Sequence, residues 1–366
     1  MHVPDFVRYV GAFVVVLGVL VFVHEMGHYL AARWRGVYVE AFSIGFGRAL
    51  VSWTDKVGTV WKIAWIPLGG YVKLHGQERP EDVADEVRAG WKPGQTFHGK
   101  SVLSRAIVVA AGPVANFVLA AVLFAVLFAT AGRPMSVPVI GEVLVDSAAA
   151  RAGLETGDRV TSIDGEEVNR FEDLQRIIAG VPDKDVALHI QRDGQEVNLT
   201  AHTSGRNGTL GRRMGVLGVK GGTPDYQRLD PASAVVAGVG QTWEVVVQTI
   251  QGLGQMLTGA RSADELSGPL GIAQLSGQVA SQGIASMMSF IAVLSVNLGL
   301  INLFPIPVLD GGHLTMYLFE ALRGRPISQR LQEYGFRAGM ALLAGLFVFA
   351  TWNDLSHLGL FHWVRS

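Results

Sequence analysis

The residues best suited to do chemistry in this chain are His24-Glu25-Met26-Gly27-His28. On a helix, positions i and i+4 share a face, so both imidazoles can grip one metal ion. The intervening Glu25 can then take a proton from water made acidic by that ion. Five residues of this kind recur by chance in unrelated chains, so the setting decides their weight. Catalytic zinc takes three protein ligands and leaves one position open. The best source of a third ligand is Asn302-Leu-Phe-Pro-Ile-Pro-Val-Leu-Asp310-Gly-Gly-His313. Pro305 and Pro307 break a helix there, which leaves Asp310 in irregular backbone. His313 and Glu320 are rival ligands.

The elements that must position these groups are membrane helices. Of the 366 residues only 17% are charged, against roughly 25% in soluble proteins, and the mean hydropathy is +0.32. Between Arg8 and Arg33 the ionisable side chains, phenols aside, are His24, Glu25 and His28. No charge falls between Arg105 and Arg133, or between Glu265 and Asp310. A spanning helix needs about 20 largely apolar residues, which predicts four spans near 6–30, 105–131, 285–309 and 334–353. Ionisable groups inside a span are costly and mark function. The first apolar run lacks a small-residue cleavage site and is read as a retained span, not a signal peptide.

Basic residues set the orientation. Arg33, Arg35, Arg48, Lys56, Lys62 and Lys73 crowd one loop, and Arg323, Arg325, Arg330 and Arg337 another, whereas the termini offer Arg8 and Arg365. The positive-inside rule places both loops in the cytoplasm and both termini outside. Spans one and three then run in the same direction, so His24 and Asp310 can meet at one depth. Segment 38–74 reads as β, and 76–100 as a polar loop carrying Glu78, Glu81, Asp82, Asp85 and Glu86. In 231–260, Val235, Val239, Trp243, Val246, Ile250, Leu253 and Leu257 recur at helical spacing opposite a glutamine-rich face, which predicts an amphipathic helix. It is read as lying on the membrane surface or against an external domain.

Two resemblances follow from longer strings. Ala152-Gly-Leu-Glu-Thr-Gly-Asp158, with Val160-Thr-Ser-Ile-Asp-Gly165, resembles a circularly permuted bacterial PDZ domain. PDZ domains take an extended peptide onto a sheet edge, and the alternative is a steric shield. The H-E-x-x-H of the first span, Gly112-Pro113-Val114-Ala115-Asn116 in the second and N-x-x-P-x-P-x-L-D-G in the third together resemble the site-2 proteases. With Pro67-Leu-Gly-Gly-Tyr-Val-Lys73 and one PDZ-like unit where some members have two, the chain resembles their RseP-type bacterial branch.

The resemblance implies a polytopic α-helical membrane protein of four spans, with a re-entrant β segment and an inserted α+β PDZ-like domain. The expected parts are a first span in 1–36, a cytoplasmic-side β segment and loop in 37–104 and a second span in 105–132. The PDZ-like domain occupies 133–206, and an extracytoplasmic linker with the amphipathic helix 207–283. A third span with the L-D-G motif in 284–320 and a cytoplasmic loop with the fourth span in 321–366 complete the chain. The resemblance further implies Zn2+ held by His24, His28 and Asp310, with Glu25 as general base and later proton donor. Asn302 would bind substrate backbone or the oxyanion, and a sheet edge at Gly69, Gly70 and Tyr71 would pair with an unwound substrate. A packing role is expected for Gly112 and Asn116.

The expected activity is a zinc metalloendopeptidase in the inner membrane of a bacterium, with its active site near the cytoplasmic face. It would act on single-span membrane proteins, of the anti-sigma-factor or remnant-signal-peptide type, already trimmed by an upstream site-1-type protease. A membrane scaffold with structural zinc needs a fourth ligand, and none is obvious. A transporter often carries repeated halves, and none are seen. The absence of cysteine excludes disulfides and thiolate zinc sites. A net charge of −1 offers nothing to nucleic acid.

Overall fold

The computed structural model describes residues 5–78, 83–207, 213–223, 225–260, 262 and 267–357. Glu81 and Asp82 of the expected polar loop, and Arg365 of the tail, lie outside them. The chain opens with α1 (Asp5–Trp34), strands β1 (Val39–Thr54) and β2 (Val60–Leu74), a short α2 (Asp85–Ala89) and α3 (Val102–Thr130). A second unit, Phe128–Pro231, interrupts the first. The first resumes with α6 (Pro231–Leu257), α7 (Pro269–Ser281), α8 (Ile284–Asn302), α9 (Asp310–Arg323) and α10 (Gln329–His357).

Helices α1, α3, α8 and α10 are long and apolar enough to cross a membrane. They keep large apolar side chains on their outer surfaces, among them Val15, Val118, Val122, Leu346 and Phe347. Helices apolar on both inner and outer faces suit hydrocarbon surroundings, not water. The third span differs from expectation in length. Its helix stops at Asn302, because Pro305 and Pro307 cannot continue it, and a new helix begins at Asp310.

β1 and β2 fold back on each other more than a simple hairpin. Residues 39–44 pair antiparallel with 70–74, from Val39↔Leu74 to Ile44↔Gly70. The same β1 residues also face Val60–Ile63, and Ala49–Thr54 pair with Ala64–Val60. The base of this sheet is buried with Ala31, Ala32, Val108 and Val109. Its far end exposes Phe46, Leu50, Val51, Trp53, Trp65 and Ile66, an apolar surface that water does not favour.

Helix α6 shows a reversal. Its inward face is the small-residue stripe Ala234, Gly238 and Thr242 with Val245 and Val246, while Val235, Val239, Trp243 and Ile250 are exposed. A Cβ on Gly238 would meet Ala121 and Ala125 of α3. Thr249 Oγ1 donates to Asn297 Oδ1 of α8 at 2.9 Å. In lipid, close backbone approach and polar contacts drive helix pairing, and apolar side chains do not. The expected apolar stripe, Val246 apart, therefore faces outward. Helix α7 joins α1 through Gly277 against Tyr9. Its N-terminal amides, at Gly268, Leu270 and Gly271, donate to the buried Asp354 carboxylate of α10 at 2.8–3.0 Å, which satisfies otherwise orphaned donors.

The second unit is a PDZ-like α+β domain. It contains β3 (Arg133–Met135), β4 (Ile140–Val143), α4 (Ala148–Arg151), β5 (Arg159–Ile163), β6 (Glu166–Glu167), α5 (Phe171–Ala179), β7 (Asp185–Arg192), β8 (Gln195–His202), β9 (Ser204–Asn207), β10 (Arg213–Val216), β11 (Val219–Gly221) and β12 (Asp225–Gln227). The largest sheet runs β6-β5-β7-β8, and alternate residues Val186, Leu188 and Ile190 enter its core. The domain extends beyond residue 206 to Pro231, because β10, β11 and β12 pair with β9, β4 and β3.

The signature around Ala152–Asp158 is held by one ion pair. Asp158 is 1% exposed; its carboxylate takes Arg192 Nε and Nη2 at 2.7 Å each and the Glu155 amide at 2.8 Å. Burial alone would raise the Asp158 pKa, but the Arg192 hydrogen bonds, the Glu155 amide and the Arg192 charge together outweigh it and hold the carboxyl below its ordinary value.

Candidate metal centre

Three helices carry the site. α1 presents His24 and His28 one turn apart on one face. α9 presents Asp310 as its first residue, where the helix N-terminus favours an anionic side chain. The break at 303–309 lets α9 start there, and it is tight: a Cβ on Gly311 or Gly312 would strike the carbonyls of Leu303 or Ile306. α3 supplies the wall through Gly112-Pro113-Val114-Ala115-Asn116. A Cβ on Gly112 would fall on the His28 ring, and one on Gly27 would strike the Ala111 carbonyl. These two glycines let α1 and α3 approach closely enough for His28 to fit between them.

The ligand atoms converge. His24 Nε2 lies 3.2 Å from His28 Nε2 and 3.2 Å from Asp310 Oδ2, and His28 Nε2 lies 3.4 Å from the same oxygen. Asp310 Oδ2 is buried and has no hydrogen-bond partner of proper geometry. Ligands set tetrahedrally at about 2.0–2.1 Å from one centre stand about 3.3 Å apart. The three spacings match one face of such a tetrahedron, so these residues fit a zinc ion. Among the described residues, His24, His28 and Asp310 are the one group of three such side chains with this convergence. Of the rivals, Glu320 is committed elsewhere: Arg105 Nη2 and Nη1 reach its two oxygens at 2.7 and 3.2 Å. His313 lines the same cavity but stands outside the ligand group.

His28 Nδ1–H donates to the Val108 carbonyl at 2.9 Å, which leaves its Nε2 lone pair facing the other ligands. Pro113 lacks an amide and so frees the carbonyl of Val109, beside Val108, loosening α3 at this point. His24 Nδ1 lies 3.2 Å from the Asn116 side-chain amide.

A cavity of about 1060 Å³ opens onto the group, lined by Glu25, Asn302, His313, Gly69, Gly70 and Tyr71 among others. Each residue singled out in the sequence for chemistry or strand pairing therefore borders one space. At Gly70 the sheet comes close to α1: its Cβ would lie 2.8 Å from Val21 Cγ1, 3.0 Å from Glu25 Cγ and 2.6 Å from the Ser43 carbonyl. Gly69 has φ +135, with the Phe46 ring 2.6 Å from where a Cβ would be, so this corner of the strand requires glycine. Sequence reasoning missed the Arg105–Glu320 pair and the His24 contact of Asn116. The signal for the latter was a lone amide in an otherwise apolar span.

Known proteins are similar to this chain over most of its length. The family model described as Peptidase family M50 matches residues 12–346. A protein of Agrobacterium fabrum (strain C58), by provisional name a zinc metalloprotease, is 46% identical over 362 residues, covering 96% of each chain. The Regulator of sigma-E protease RseP of Escherichia coli is 34% identical over 449 residues, covering 95% of this chain and 98% of its own. A solved PDZ domain of an SdrC-like protein from Listeria monocytogenes is 17% identical and covers 24% of this chain and 87% of its own, with a TM-score of 0.21.

Proposed function

Because the chain belongs to peptidase family M50 and is a zinc metalloprotease, we propose that it cuts single-span membrane proteins within their transmembrane segments. The observation that carries this reading is the place of the ligand group. His24 and His28 lie within α1, a candidate span of 28 residues, and Asp310 opens α9 just after the break at 303–309 that ends α8. Substrate bonds that reach them are at membrane depth.

His24, His28 and Asp310 are the residues that would hold zinc. When bound, the ion supplies Lewis acidity, which polarises a carbonyl and lets water lose a proton near neutral pH. Glu25, one residue from His24 and facing the same cavity, receives that proton and returns it to the departing amine. Three protein ligands, not four, suit catalysis over a structural site. Asn302 at the end of α8 borders the cavity and is positioned to donate to substrate backbone or to a developing oxyanion.

Strand 70–74 has β1 on one side and the cavity at Gly70 and Tyr71 on the other. A spanning helix hides its amides in its own hydrogen bonds, so it must be opened before hydrolysis. Pairing the opened stretch with Gly69, Gly70 and Tyr71 replaces those bonds where water is scarce. The apolar far end of the sheet suits re-entry into lipid.

The basic loops support a site towards the cytoplasmic face of a bacterial inner membrane with the PDZ-like domain outside. Substrates of the anti-sigma-factor or remnant-signal-peptide type, trimmed beforehand by a site-1-type protease, suit this arrangement. The test is cleavage of a model single-span substrate in detergent by wild type and by Glu25→Gln, with zinc content measured in both. The reading requires equal zinc and cleavage in wild type alone; equal cleavage in both sinks it.

A further inference from the structure

Asn116 is 0% exposed, in the middle of an apolar helix, and its Oδ1 has no hydrogen-bond partner. Its Nδ2 stands 3.2 Å from Nδ1 of His24. That orientation has a chemical consequence. If Nδ2–H donated to Nδ1, the neutral imidazole would carry its proton on Nε2, the atom that faces His28 and Asp310. A protonated Nε2 cannot ligate a metal. The two ends of a carboxamide have nearly the same shape, and their assignment follows from the hydrogen-bond network. Turning the amide over fits the same space, gives the orphaned Oδ1 a partner and moves the ring proton to Nδ1.

We propose that Asn116 is a positioning residue of the metal centre: its amide oxygen accepts Nδ1–H of His24 and keeps the Nε2 lone pair aimed at the ion. This deepens the proposed function and rests on His24, His28 and Asp310 being the zinc ligands. Each imidazole is then fixed in the same tautomer by α3, His28 through the Val108 carbonyl at 2.9 Å and His24 through Asn116. Such partners orient the ring and raise its basicity. The backbone of Asn116 is separately fixed, since its carbonyl accepts from Ser295 Oγ of α8 at 2.8 Å. The amide is therefore held in place for His24 by contacts that do not involve its own side chain.

The experiment measures zinc dissociation constants of the full chain in detergent, by chelator competition, for wild type, Asn116→Leu and Asn116→Asp. Leucine keeps the volume and loses the acceptor; the expected result is affinity weaker by about 10–100-fold. Aspartate keeps an acceptor and loses both donors; the expected result is affinity within about threefold of wild type, or tighter. A purely packing role for Asn116 predicts the opposite order. The proposal is overturned if the leucine variant binds zinc as wild type does. It is equally overturned if the aspartate variant loses tenfold, which also decides the matter should the leucine variant not fold. Wild type that binds no zinc overturns this proposal together with the ligand assignment, whereas wild-type binding with unaffected variants overturns this proposal alone.

Discussion

Gly112 stands where any side chain would collide with the Nε2 atom of His28. The colliding atom is the one that faces Asp310, so the glycine reserves space for a ligand and not merely for helix contact. Gly112→Ala is predicted to turn the His28 ring or part α1 from α3, and either movement separates the three ligand atoms. Zinc content of the purified protein should fall well below one per chain at micromolar free zinc, with the helical signal retained. Full occupancy in Gly112→Ala would show that the packing relaxes without disturbing His28.

Gly70 separates metal binding from catalysis. Its missing Cβ would crowd the Ser43 carbonyl at 2.6 Å and Glu25 Cγ at 3.0 Å. Gly70→Ala should push strand 70–74 away from α1 and disturb Glu25 while leaving His24, His28 and Asp310 in place. The expected outcome is one zinc per chain with cleavage reduced by at least about tenfold, since small misplacements of a catalytic group carry such costs. Unchanged turnover would remove the sheet edge from the account.

Arg105 and Glu320 tie the base of α3 to α9, the helix that begins with Asp310. Each side chain is 16% exposed, and the guanidinium also lies 4.9 Å over the Tyr317 ring. Glu320→Ala leaves a largely enclosed cation without its partner, at a cost of about 2 kcal/mol, less than the ~3–5 of a fully buried pair. A lower melting temperature in detergent checks this. The exchanged pair Arg105→Glu with Glu320→Arg should recover part of the loss, and no recovery would mean that the stacking on Tyr317 matters more than the charge.

The PDZ-like domain has its own acid sensitivity. Asp158 has a folded-state pKa held below the ordinary value of about 3.9 by Arg192. Its contribution to stability is therefore complete above about pH 4 and disappears as the pH falls through the lowered value. Hydrogen exchange of β7 in the full chain should be flat from pH-corrected neutrality down to that range and then accelerate. Arg192→Met leaves the buried Asp158 carboxylate without its partner, lowers stability at neutral pH and, because burial then raises the Asp158 pKa, flattens the acid loss or reverses its slope. A variant with the wild-type acid profile would contradict this assignment.

Much of the fold was legible because the membrane imposes length and polarity rules. The spans were readable from charge-free stretches, and the convergence of His24, His28 and Asp310 from helical spacing plus a proline break near the same depth. Less visible was anything decided by how helices meet. The apolar stripe of α6 points outward because apolar side chains gain nothing by leaving lipid for protein. Five of its seven periodic residues, Val235, Val239, Trp243, Ile250 and Leu257, therefore face outward, whereas Val246 packs inward. Likewise the contact between Asn116 and His24 depends on the α1–α3 approach set by Gly27 and Gly112, and no local pattern reports a crossing. The double partnering of residues 41–44 was hidden because two halves of one strand supply it. β10 to β12 fell into an expected linker because each is too short to show alternation.

The central claim is hydrolysis inside a transmembrane segment at the His24–His28–Asp310 group. The most direct measurement reconstitutes the zinc-loaded protein in liposomes with a single-span substrate and maps the product ends by mass spectrometry. The account predicts a cut within the apolar segment of the substrate, absent with Glu25→Gln although zinc is still bound. A cut confined to the flanking polar residues, or the same cut made by Glu25→Gln, would contradict it.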